Sequence, residues 1–174
     1  MSEPQTEPVL ETNRLIQRHT SFGWWTLLIS LTLGIVLEVL HALKIGAYLN
    51  ASSETRRLMW TLAHAHGTLL GLVNICFAIT LKMQPNAAAK WHKPAANSLL
   101  AATLLVPGGF FLGGVQFYGG DPGFGIILLP IGAVFLLTGV FLTAAGLHQK
   151  NNGSISASSA PAQPSPPGPA RGKA

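Results

Sequence analysis

Four apolar runs constrain this chain more than any other feature: Gly23 to Leu43, Trp60 to Leu81, Asn97 to Phe117, and Phe124 to Leu147. About 20 mostly apolar residues in a helix cross the hydrocarbon core of a bilayer, so each run is long enough to do so once. What remains is too short for an independent soluble domain. Composition agrees, because only 10% of the residues are charged and 48% are hydrophobic, against about 25% charged in ordinary soluble domains. The expected fold is all-α, a four-transmembrane-helix bundle (23–147) preceded by a cytoplasmic N-terminal segment (1–22). A disordered C-terminal tail (148–174) is expected to follow, rich in Ser, Ala and Pro and too poor in apolar surface to offset the entropy of ordering.

The first run follows a polar segment with Glu3, Glu7, Glu11, Arg14 and Arg18, and no small-residue cleavage pattern comes after it, which argues against a cleaved signal peptide. Cys76 is the lone cysteine, so neither an internal disulfide nor a multi-cysteine metal site is available. The net charge of +5 is spread over helix ends rather than gathered on one face, which points to the lipid bilayer and not to nucleic acid as the partner. Lys82, Lys90, Lys93, Arg14, Arg18 and Lys150 favour one side. The expected placement is a bacterial inner membrane with both termini cytoplasmic, although the first loop carries Lys44, Arg56 and Arg57. Trp24, Trp25, Trp60 and Trp91 stand at run ends, where amphipathic rings anchor a helix at headgroup depth.

Lipid chains are as apolar as leucine, so membrane helices associate through close contact at small residues. The fourth run has Gly125, Gly132, Gly139 and Gly146 at a seven-residue spacing, a groove along one face that must meet another helix. That helix belongs either to this chain or to a partner, the second option giving self-association or docking onto other membrane subunits. The second run contributes Gly67 and Gly71, and the third Gly109 and Gly113 just beyond Pro107, where a kink is expected. Gly119 to Gly123 is a hairpin turn.

Glu38 is the only acidic residue in the four runs, and such residues usually face the bundle interior. His41 lies nearly on its face, three residues on, and the second run opens with His64 and His66 at a comparable depth. These four residues form the candidate site, with Asn74 below and Gln116 and Tyr118 arriving from the third run. Residues two apart diverge by about 200° on a helix, so His64 and His66 must face different ways; His64, on the stripe of Gly67 and Gly71, is the first choice for an inward ligand. His19, His92 and His148 read as surface residues near helix ends.

The run from His64 to Gly71 resembles the His-x-His helix openings of haem-copper oxidase catalytic subunits and related haem proteins, over eight residues. The resemblance implies haem ligation by a histidine near a helix end, without the additional helices and histidines those subunits carry. Three functions stay open. His41, His64 and His66 can hold haem b, or, with Glu38, a transition-metal ion, for electron transfer. Alternatively the layer only clamps helices in a non-enzymatic membrane-complex subunit or scaffold, or Glu38 serves a small proton or ion transporter. No nucleotide fingerprint, phosphate loop or nucleophile-base pair is present, and independent enzymatic activity is not expected.

Overall fold

The computed structural model describes residues 7–84, 91–118 and 120–158. Its long helices are α1 (Glu7–Ala42), α3 (Glu54–Met83), α4 (His92–Val115) and α5 (Leu128–Ser158). A short helix, α2 (Gly46–Leu49), and a 3-10 turn (Ala51–Ser53) join α1 to α3, and a second 3-10 turn (Phe124–Ile127) leads into α5. Four stretches are long and apolar enough to cross a membrane, Val9–Ala42, Glu54–Met83, His92–Val115 and Phe124–His148. These cover the four apolar runs apart from Leu43, Gln116 and Phe117 at run ends. Hydroxyl groups within them are satisfied locally: Thr26, Thr32, Thr68, Thr80, Thr103, Thr138 and Thr143 each donate to the carbonyl four residues back, which lets a polar side chain sit in an apolar medium.

The first helix starts sixteen residues before Gly23, so α1 absorbs most of the segment expected to precede it. The reason is a local amphipathic pattern. Glu11, Arg14 and Arg18 stay exposed, Leu15 and Ile16 pack on the core of Phe77, Leu81, Ala95, Ala96 and Leu99, and His19 is buried. As a result Trp24 and Trp25 lie in the middle of α1 rather than at its start, and they are 61% and 62% exposed. At the other terminus α5 extends to Ser158, while the rest of the tail expected to be disordered, 159–174, lies outside the described residues.

The helices pack in chain order. α1 lies along α3, α3 along α4 and α4 along α5; α1 meets α4 only over a short stretch, and no extended contact joins α5 to α1 or α3. This is a folded row rather than a closed compact bundle. The middle helices are the covered ones, with 50% of the most apolar window of α4 buried against 11% for α5. Where α1 and α4 do meet, at the end that carries the chain termini, Lys93 bridges to Glu11 at 2.7 Å.

Glycines set the contacts within the row. Added β-carbons at Gly132 and Gly139 would stand 2.7 Å from Val106 and 2.8 Å from Leu99, and one at Gly125 would stand 2.5 Å from Leu112. The seven-residue glycine groove is therefore filled by α4 of the same chain. Self-association through these glycines is corrected accordingly, since a groove already occupied by α4 cannot receive a second copy. Pro107 lies inside α4 without ending it, and the helix continues through Gly108 and Gly109 to Val115.

The end opposite the termini is closed by backbone-directed hydrogen bonds. Arg57 donates to the carbonyls of Tyr48 and Asn50, both at 3.2 Å, Arg56 to Gly114 at 3.2 Å, and Thr55 to Gly120 at 2.5 Å. The turn after α4 is a two-residue antiparallel ladder, β1 (Phe117–Tyr118) with β2 (Asp121–Pro122). Gly120 supplies its left-handed position at φ 96°.

Replacing Gly139 by Leu forces α5 off the Leu99 backbone. The expected loss is about 1–3 kcal/mol, as in other overpacked sites, read as a lower unfolding midpoint in mild detergent with no change in oligomeric state; an unchanged midpoint would contradict the α4–α5 contact.

Candidate functional site

The four residues expected to share one layer do not converge. Glu38 and His41 are exposed on the last turns of α1. This corrects the inward placement of Glu38: one turn from the helix end a carboxylate reaches polar surroundings along the helix surface and needs no interior partner. Gln116 and Tyr118 are exposed as well. Among the described residues no group of three or more His, Cys, Asp or Glu side chains stands close enough to hold a metal ion.

His64 and His66 point apart, as their spacing requires. His64 faces α1, where its Nδ1 is 2.7 Å from the Ser30 carbonyl oxygen, and its ring fills the space over Gly34 that a β-carbon would take. His66 faces α4: its Nδ1 is 2.8 Å from the Leu62 carbonyl and its ring lies 4.8 Å from that of Phe110. A carbonyl oxygen can only accept, so in both rings Nδ1 carries a proton and donates. One turn earlier on α3, Trp60 stacks on Phe111 at 5.7 Å and donates to the Phe111 carbonyl at 3.2 Å. The Arg56 guanidinium lies 5.6 Å from the Trp60 ring.

The best-formed polar cluster lies elsewhere, around a residue expected at the surface. His19 is completely buried, and its Nδ1 is 2.7 Å from Asn74 Oδ1. Asn74, also fully buried, donates through Nδ2 to the Leu70 carbonyl and to Thr103 Oγ1, each at 2.8 Å, and Thr103 donates to the Leu99 carbonyl at 2.7 Å. The directions in this chain are fixed. Leu70 can only accept, so the Asn74 amide nitrogen faces it; Oδ1 then faces His19 and can only accept, so the His19 proton is on Nδ1. Among the described residues His19 Nε2 is left buried without a hydrogen-bond partner, and the ring packs edge-on to Phe77 at 4.8 Å. His92 is also buried, at 8% exposed, whereas His148 is exposed as expected.

A signal for His19 exists in the sequence. It heads the series His19, Gly23, Leu27, Ser30, Gly34, Leu37, spaced by three and four residues, and all six are buried. On α3 the matching stripe is Ala63, Gly67, Gly71, Asn74, Ala78, Leu81. The apolar run from Gly23 leaves out the first member of the α1 stripe, four residues earlier.

No protein-family model, no curated protein and no solved structure matches the chain. The geometry alone therefore carries the functional reading.

Removing the Asn74 amide leaves His19 Nδ1 without its acceptor in a closed interior. Asn74→Ala is expected to cost about 1–3 kcal/mol, the range for an orphaned buried polar group, and Lys93→Ala less than about 1 kcal/mol, as for an exposed ion pair. Denaturant titrations in detergent, with a His19→Ala/Asn74→Ala double-mutant cycle, measure both; zero coupling in the cycle would contradict the network.

Proposed function

We propose that this chain is a non-enzymatic membrane subunit that spans a bacterial inner membrane four times with both termini cytoplasmic. His19 and His64 act as clasps between helices. The observation that carries this reading is the direction of the His64 ring: Nδ1 meets the Ser30 carbonyl of α1 at 2.7 Å, so the imidazole ties α3 to α1 instead of joining Glu38 and His41 around an ion. A subunit role follows from the unequal cover of the helices, since α5 has one packed neighbour and presents exposed Val134, Leu137 and Phe141 over the rest of its surface. That surface is compatible with lipid and with a helix of a neighbouring protein. A photo-crosslinking residue at Phe141, tested in native membranes, is expected to capture a second protein; capture of lipid alone would remove the subunit role.

A second reading draws on the same rings. Metal-bound histidines commonly donate their other N–H to a backbone carbonyl, which orients the ring and raises the basicity of the ligating nitrogen. His64 and His66 both have that arrangement, with Nε2 as the remaining donor atom. As a single axial ligand either fits haem b or a transition-metal ion, in line with the His-x-His resemblance, with other ligands coming from a partner. The clasp predicts that His64→Ala lowers the unfolding midpoint of a protein purified without stoichiometric metal. A Soret band, or near-stoichiometric iron or copper, lost in His64→Ala or His66→Ala would instead establish the ligand role.

A further inference from the structure

α1 and α4 touch near the chain termini and part toward the other end, and a cleft of about 390 Å³ opens between them over α3. Ile29 and Ser30 line it from α1, Ala63 from α3, and Thr103, Gly108 and Phe111 from α4. Its rims are exposed, with Ile29 at 67% and Leu104 at 63%. The volume lies in the range of about 300–1,000 Å³ usual for small-molecule sites, and an apolar wall with few polar groups is their usual composition.

Two details indicate that the cleft is built for an occupant. Gly108 is the first. Within the four long helices, an added β-carbon at each of the other glycines from Gly23 to Gly146 meets a neighbour within 4 Å, whereas one at Gly108 meets nothing. Helix contact within the chain therefore does not account for this glycine; close approach of an outside molecule to the α4 backbone does. Ser30 is the second. It is only 7% exposed, lines the cleft, and its hydroxyl makes no hydrogen bond among the described residues, unlike Thr103, which both accepts and donates. Gly67 leaves room for that hydroxyl on the side of α3.

Depth narrows the chemistry of the occupant. Ser30 stands level with His64 and Gly67, four to seven residues along α3 from Trp60, which is about 6 to 10 Å at 1.5 Å per residue. With Trp60 at headgroup depth, phospholipid ester carbonyls stay at its level and only their hydrocarbon reaches Ser30. An acceptor from outside the chain at that depth belongs to a molecule that resides within the hydrocarbon layer. The Phe111 ring, held in place by its stack on Trp60, offers a flat apolar wall. We infer that the cleft between α1 and α4 binds a lipid-soluble carbonyl compound of the quinone class, its carbonyl accepting from Ser30 Oγ and its ring passing close to Gly108. This inference rests on the membrane-spanning reading above.

The test uses the full chain in phosphatidylcholine nanodiscs, with decylubiquinone as probe and decylbenzene as the carbonyl-free comparison, read by quenching of tryptophan fluorescence. Decylubiquinone is expected to saturate at one per chain. Ser30→Ala should weaken it about three- to tenfold, the worth of one hydrogen bond. Gly108→Leu places a side chain in open space, so the fold should keep its melting temperature while saturable binding is lost. Linear, non-saturating quenching in the wild type, equal saturation by decylbenzene, or undiminished binding in a folded Gly108→Leu variant would each overturn the inference. A wild-type dimer that Gly108→Leu converts to monomer, with no quinone saturation, would do so too and assign the cleft to a second copy. Alkaline extraction of membranes separates the premises: release of the chain removes the membrane reading, whereas retention without saturable binding removes the cleft site alone.

Discussion

The contact on which the rest of the molecule depends is the approach of α1 to α3 at Gly23 and Gly71. A β-carbon on Gly23 would stand 2.8 Å from the Gly71 carbonyl oxygen, and one on Gly71 would stand 3.1 Å from that of Gly23, so the two backbones touch here with nothing between them. Dispersion forces fall steeply with distance, and in lipid no hydrophobic gain substitutes for them, so a contact this close carries more weight than it would in a soluble core. It also sets the register. One turn toward the termini His19 reaches Asn74; toward the other end Ser30 enters the space over Gly67 and Gly34 receives the His64 ring.

The histidines then divide by what their neighbours supply. His64 and His66 meet main-chain carbonyls that cannot move without unwinding a helix turn, while His19 meets a side-chain amide already fixed by two other bonds. Each ring is therefore locked in orientation and in tautomer. Hydrogen bonds between membrane helices contribute on the order of 0.6 to 2 kcal/mol each, so their larger effect is on specificity: α1 slipped along α3 by one turn would leave His19 Nδ1 and Asn74 Oδ1 both unpaired in an apolar interior.

Element type was legible in the sequence because hydropathy over 20 residues is a strong signal, and the greater part of each apolar run lies in a long helix. Helix ends were less legible. The start of α1 depends on Leu15, Ile16 and His19 packing against residues from two other helices, α3 and α4, a tertiary effect that no local window contains. The glycine spacing of α5 correctly signalled a close helix contact, but periodicity specifies a face and not the identity of what covers it. The polar layer failed for a related reason: equal depth puts Glu38, His41, His64 and His66 in one slab, and only azimuth decides whether they meet. Trp24 and Trp25 marked a run end on the hydropathy scale, yet the helix continues through them as an amphipathic surface segment.

Packing in chain order bears on how the molecule is made. Each long helix finds its main partner in the helix synthesised just before it, so most contacts are between sequence neighbours and loop-closure costs stay small. Insertion as successive hairpins suits this layout: α1 gains its glycine contact and the His19–Asn74 bond as soon as α3 arrives, and Asn74 waits only for Thr103 on α4 to complete its bonding. α5 comes last and rests chiefly on α4. Its arrival buries no polar group of an earlier helix in this network, so the three-helix core can reach its final hydrogen bonding while the last span is still leaving the ribosome.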